Sequence, residues 1–338
     1  MPSLLDLPRE IRDQICVYAL LSPIAPPNTD RSFEELTEPR QIYGNPRLRA
    51  WSKVVLYDPA NSTITPPSLL LVNKQMYQET LSNLKLINKL PNCSMDLVIA
   101  DEVVLLPTWT QIPYRHALKF DTVDVTFRIS GVHDRKKEYP FGFYKGWRCG
   151  DGAGPAMGWQ IYAVLERFIR AGTNAEMRTP EVHLHATAKT IRVDIQTPSG
   201  VDPKRFSLRP ISALWGRRSR VDGADTLDPA FLARYVKGRV GGLLSDDNYE
   251  WFTYGQILYE HLDEFIVCKD GAEVGRWDVA ECLRAREVDS PYFSQQQMEE
   301  YKDEAWKLRK LRGLKVLDST CETTTSRCGG DINGVKHR

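Results

Sequence analysis

Residues 122–129 read TVDVTFRI, and residues 190–197 read TIRVDIQT. In the first, Val123, Val125, Phe127 and Ile129 alternate with Thr122, Asp124, Thr126 and Arg128. In the second, Ile191, Val193 and Ile195 fall on one side. Successive strand side chains point to opposite faces, so both stretches predict half-buried strands with one apolar and one polar face. Between them the period changes. In residues 159–171 (WQIYAVLERFIRA), Ile161, Leu165, Phe168 and Ile169 lie inward on a helix, and Gly172 offers a C-terminal stop. Strands and an amphipathic helix with apolar faces to bury predict an α+β fold.

Further elements extend this core in both directions. Residues 95–100 (MDLVIA) and 102–106 (EVVLL) predict strands, as do 264–268 and 275–279, which a Lys269-Asp270-Gly271 turn joins. Short helices are expected over 228–236 and 254–262. A longer helix is expected over 294–312, with Met298, Tyr301, Ala305 and Leu308 as its apolar seam. Glu299 and Glu300 near its start and Lys307, Arg309, Lys310 and Arg312 near its end complement the helix dipole. The basic run 307–315 (KLRKLRGLK) is therefore read as a solvated helix end whose leucines lie on the helix face. Residues 318–338 are polar and predict a disordered tail.

Towards the N-terminus, residues 8–21 predict a helix with Ile11, Ile15, Tyr18 and Ala19 on one face, Pro8 in the first turn and Asp6 ahead of it as a cap. A proline-rich loop insertion, 22–66, follows and contains a short predicted strand at 52–57 (SKVVLY). The next helix is expected over 68–89. Leu69, Val72 and Met76 share one face, and Leu70, Tyr77, Leu81 and Leu84 widen it, which suggests packing on two sides. The domain reading is a helical element over 1–90, an α+β body over 91–317 with a mixed or antiparallel sheet, and the tail.

Composition narrows the function. The 338 residues are 42% hydrophobic and 26% charged, ordinary for globular chains. A formal net charge of +1 gives no global attraction to nucleic acid or to an acidic membrane. Asp6, Arg9 and Glu10 interrupt the first apolar residues, so neither a secretory signal nor a membrane span is expected. The seven cysteines are scattered, which fits reduced thiols in the cytoplasm or nucleus.

Chemistry-bearing motifs are sparse. The glycines of 150–154 (GDGAG) do not follow a strand and meet Pro155, so they read as a surface loop and not a phosphate cradle. His183 and His185 share a strand face without further ligands at metal spacing. Cys321 and Cys328 form no C-x-x-C pair, and the 217–220 run (RRSR) is short. Asp121, Asp124 and Asp194 read as solvated carboxylates on strand rims and outer faces. With no hydrolase elbow, zinc-protease helix or kinase set, the expectation is a non-enzymatic protein without cofactor or metal.

Two blocks carry a resemblance. LDLPREIRDQICVYAL, beginning at Leu5, and LLLVNKQMYQETL, beginning at Leu69, resemble the signature of the F-box-like proteins expanded in filamentous fungi. In that family a Leu-Pro-x-Glu-Ile helix is followed by one carrying Leu-x-x-Val with basic and aromatic residues. A related fungal family is named for two Glu-x-Arg motifs. The first is present as Glu10-Ile11-Arg12, while Gln75-Met76-Tyr77 stands in the place of the second. The resemblance implies docking to a Skp-type adaptor through Leu7, Pro8, Ile11, Ile15, Leu70, Val72 and Tyr77. That adaptor links to a cullin ubiquitin ligase, for which the body would capture a target protein. Two alternatives stay open. One is a stand-alone scaffold that keeps these residues as core, with Ile11, Ile15, Val72 and Met76 covered. The other is an enzyme with an unrecognised site near Asp124, His183 and His185.

Overall fold

The computed structural model describes residues 4–23, 25–26, 55–57, 68–87, 92–112, 118–131, 156–173, 185–207, 226–246, 254–286 and 294–317. The 150–154 loop, His183, the 217–220 run, Cys149, Cys321, Cys328 and the predicted tail lie outside them.

Six strands build one mixed sheet, in the order β2-β1-β3-β4-β7-β8. They are β1 (Cys93–Ala100), β2 (Val104–Gln111), β3 (Lys119–Ser130), β4 (Thr187–Ile195), β7 (Leu262–Lys269) and β8 (Ala272–Asp278). The four inner strands are mutually parallel, and β2 and β8 close the edges as antiparallel hairpin partners. A separate two-residue ladder pairs β5 (Phe206–Ser207) with β6 (Thr226–Leu227). Among the described residues there are seven α-helices: α1 (Arg9–Leu21), α2 (Lys74–Ile87), α3 (Ala156–Ala171), α4 (Pro229–Gly241), α5 (Gln256–His261), α6 (Val279–Ala285) and α7 (Gln295–Arg312). The α+β class expected from sequence is the class observed.

The pairing register explains the alternation. Cys93, Val123, Ile191, Phe265 and Trp277 form one row across five strands, and every one is buried. Ile161, Val164, Leu165 and Phe168 of α3 and Val236 of α4 cover this face, leaving a wholly apolar cavity of about 30 Å³. The opposite face carries Asp96, Asp124, Arg128, Arg192 and Asp194. Arg128 grips Asp96 with two bonds of 2.6 Å, and Asp194 accepts from Gly271 N at 2.9 Å and from Gln196 at 2.6 Å. Parallel sheets are normally apolar on both faces. Here polar pairs stand beside buried Val98, Ile266 and Cys268 on one.

Several boundaries differ from the sequence reading, each for a local reason. Asp101 and Glu102 take φ of 51° and 59° and form the β1–β2 turn, so β2 starts at Val104 and not at residue 102. The helix expected over 68–89 splits into a 3-10 turn (Ser68–Leu71) and α2. Asn73 accepts from Met76 N at 2.9 Å, and this cap starts a new helix. Pro8 stands just outside α1 as its N-cap residue, and α1 has no side-chain cap bond. Within the insertion, Val55 bridges Leu105 in parallel, and Leu56 N donates to Leu105 O at 2.9 Å. Val55 thus adds a single bridge alongside the β2 edge.

Candidate docking surface

The two signature blocks meet. Arg12 of α1 reaches Glu79 of α2 with Nε at 3.0 Å from Oε2 and Nη2 at 2.6 Å from Oε1. Its Nη1 also donates to the carbonyls of Leu5, at 3.2 Å, and Leu7. One guanidinium therefore fixes the 3-10 turn Leu4–Asp6, α1 and α2 together. Both partners are buried. Gln75 donates to Glu79 at 3.1 Å, and Asn83 donates to Asp13 at 3.0 Å. The bond from Arg12 holds the Glu79 carboxyl down at about 2. Cys16 of α1 and Met76 and Leu84 of α2 are buried, and burial pushes the Cys16 thiol up.

This pairing decides which side chains remain outside. The inward face of α1 is Arg12 and Cys16. Ile11, Ile15 and Tyr18, the expected apolar face, lie about 100° round the helix, since each residue turns it by that angle. They are exposed: Ile11 at 42%, Ile15 at 38% and Tyr18 at 76%. Leu7 and Pro8 are exposed just ahead of them, beside Leu4 and Leu5. On the second block, Leu70 is half-buried, Val72 is 61% exposed and Tyr77 45% exposed. Met76 is fully buried, so of the four residues a self-packed scaffold would cover, Met76 alone is covered. The expectation that α2 packs on two sides is corrected: Met76, Glu79, Thr80, Asn83 and Leu84 are buried, whereas Tyr77, Gln78 and Ser82 face outwards.

Of the expected adaptor-contacting residues, Leu7, Pro8, Ile11, Ile15, Val72 and Tyr77 are solvent-exposed side chains on paired elements. Arg12 and Glu79, which hold those elements together, were not singled out from sequence. The Glu10-Ile11-Arg12 motif offered the signal, because an arginine beside an apolar stripe needs a carboxylate when it turns inward.

Comparison with protein-family models finds no match, and neither curated proteins nor solved structures yield one. No family is assigned.

Among the described residues no group of three or more His, Cys, Asp or Glu side chains converges as a metal site. Nor is any helix among them long and apolar enough to cross a membrane. Asp121 pairs with Lys189 at 2.7 Å, and burial raises the Asp124 carboxyl. Asp121, Asp124 and Asp194 are thus partly buried, and Asp121 and Asp194 hold partners, contrary to the solvated reading. His185 precedes β4. In the basic run, Arg309 is fully buried and binds Tyr259 O, Leu262 O and Asp263, whereas Leu311 is exposed. The solvated reading of that helix end is corrected for Arg309, which clamps the joint between α5 and β7.

Proposed function

We propose that the chain is a non-enzymatic, F-box-like interaction protein whose N-terminal helix pair docks a Skp-type adaptor while the α+β body presents a target-binding surface. In this reading it acts as a substrate receptor of a cullin-based ubiquitin ligase and needs no catalytic residue of its own. The observation that carries it is the outward stripe of Leu7, Ile11 and Ile15, held in place by the inward Arg12–Glu79 pair. Large apolar side chains grouped on a monomer's surface are characteristic of interaction sites. The insertion 22–66 does not part the two signature blocks, because α1 and α2 pair across it.

The test is co-elution of purified chain with a recombinant Skp-type adaptor in size exclusion. A stable complex is expected, lost on changing Leu7→Asp together with Ile11→Asp while the circular dichroism stays unchanged. Independent elution of the wild-type chain and the adaptor would discard the ligase reading and leave a stand-alone scaffold.

A further inference from the structure

Val125 of β3 pairs in register with Val193 of β4 on the buried face of the sheet. Val164 of α3 and Val236 of α4 border the same space from the helical side. Valine is short and stiff at χ1, so these four side chains adapt little to a gap between them. The rings of Trp109, Phe127 and Phe168 share the wall. Flat rigid rings beside short branched side chains leave room that neither kind closes. The result is the cavity of about 30 Å³, apolar on every side. A water molecule needs about 10–15 Å³ and roughly two to four polar partners. Here the room is present and the wall offers no partner, so the cavity stays dry.

We propose that this cavity is a binding site for one small apolar molecule, no larger than a noble-gas atom or a hydrocarbon of roughly two or three carbons. Wall atoms that face an empty space forfeit the dispersion attraction of close packing, and an apolar guest restores it. A polar guest would give up its hydrogen bonds to water and find none inside, so it is rejected. Size selects as well. An apolar cavity of about 150 Å³ accepts benzene, and ring-sized guests are too large for this one. Of the lining residues, Trp109 is partly exposed and the others are buried, which places the way in beside the indole ring. That ring leans on Phe168, with centroids 5.7 Å apart and planes tilted by 50°.

The test is a titration of the full-length chain with xenon, read from methyl NMR signals. Saturable shifts are expected for Val125, Val164 and Val193. None is expected for Leu232, Leu258 and Leu283, which are buried without lining the cavity. Val164→Ile and Val236→Ile each add a methylene to the wall, so in these variants the shifts should shrink and saturate at higher xenon pressure. Benzene should leave all the signals in place. Absence of saturable shifts in the wild type, or equal shifts throughout the core, would overturn the assignment and leave a void without a guest. Unchanged xenon binding in both variants would overturn it as well, and saturable shifts with benzene would overturn the size limit.

Discussion

Arg12 and Glu79 lie 67 residues apart in the chain and form a two-bond ion pair at 2.6 and 3.0 Å, the central contact between α1 and α2. Removing one member strands the other charge in a buried place, which costs more than replacing both. Arg12→Met is therefore expected to loosen α1. Hydrogen exchange would show its amides losing protection while β3 and β4 keep theirs. The double variant Arg12→Met with Glu79→Met should recover part of the loss. No recovery would assign the effect to the carbonyl bonds with Leu5 and Leu7.

The same pair sets an acid response. Glu79 is held at about 2, below its ordinary 4.5. The unfolded chain binds the proton more readily, so stability must fall as pH falls. The contribution of Glu79 is complete above pH 4.5 and is lost as pH drops towards 2. Protection of α1 and α2 amides should decline across that window, and Glu79→Gln should remove this component of the decline. An identical pH profile in the variant would place the acid sensitivity elsewhere.

Exposure separates docking residues from packing residues along the same helices. Ile15→Asp and Val72→Asp alter outward side chains and should leave thermal unfolding nearly unchanged, yet each should weaken adaptor binding at least about tenfold. Met76→Asp places a charge at a fully buried position of α2 and should disrupt that helix's packing. Calorimetric titration alongside melting curves would separate the two classes. Equal effects on melting from all three would mean that the stripe supports the fold.

Arg309 offers a stability test in the body. It is fully buried and donates to Tyr259 O at 2.5 Å, Leu262 O at 2.7 Å and Asp263 at 2.7 Å. Arg309→Met should destabilise the chain by about 3 kcal/mol, because the carbonyls of Tyr259, Leu262 and Lys315 and the Asp263 carboxylate each lose a donor together. Urea unfolding would read the shift, and a change below about 1 kcal/mol would show that water replaces the guanidinium.

The apolar void between α3 and the sheet works in the other direction. Val164→Ile adds one methylene facing a cavity lined by Val125, Phe127 and Phe168. A gain of about 0.5–1 kcal/mol in urea unfolding is expected. A loss would show that the rim cannot accept the new rotamer.

The sheet was legible wherever apolar and polar residues alternate, because one face is apolar and the other is not. Residues 122–129 fall inside β3 and residues 190–195 inside β4 for this reason, while 196 and 197 lie past the end of β4. Strand direction was not legible. Alternation usually accompanies antiparallel pairing, and here a parallel sheet keeps a polar face through pairs such as Arg128–Asp96. The N-terminal surface was legible as a stripe but not as an outward one. Periodicity marks Ile11 and Ile15 as a face without saying which neighbour covers it. The inward choice of Arg12 depends on Glu79, a partner no local pattern reveals.

Residues 55–57 lie between α1 and α2 along the chain, yet they are stitched to the outer edge of β2. One point of the connection between the helices is consequently moored to the sheet. A protein seated on α1 would then be carried on a short-stayed mount instead of a long leash. Its reach towards anything held by the body would be correspondingly restricted.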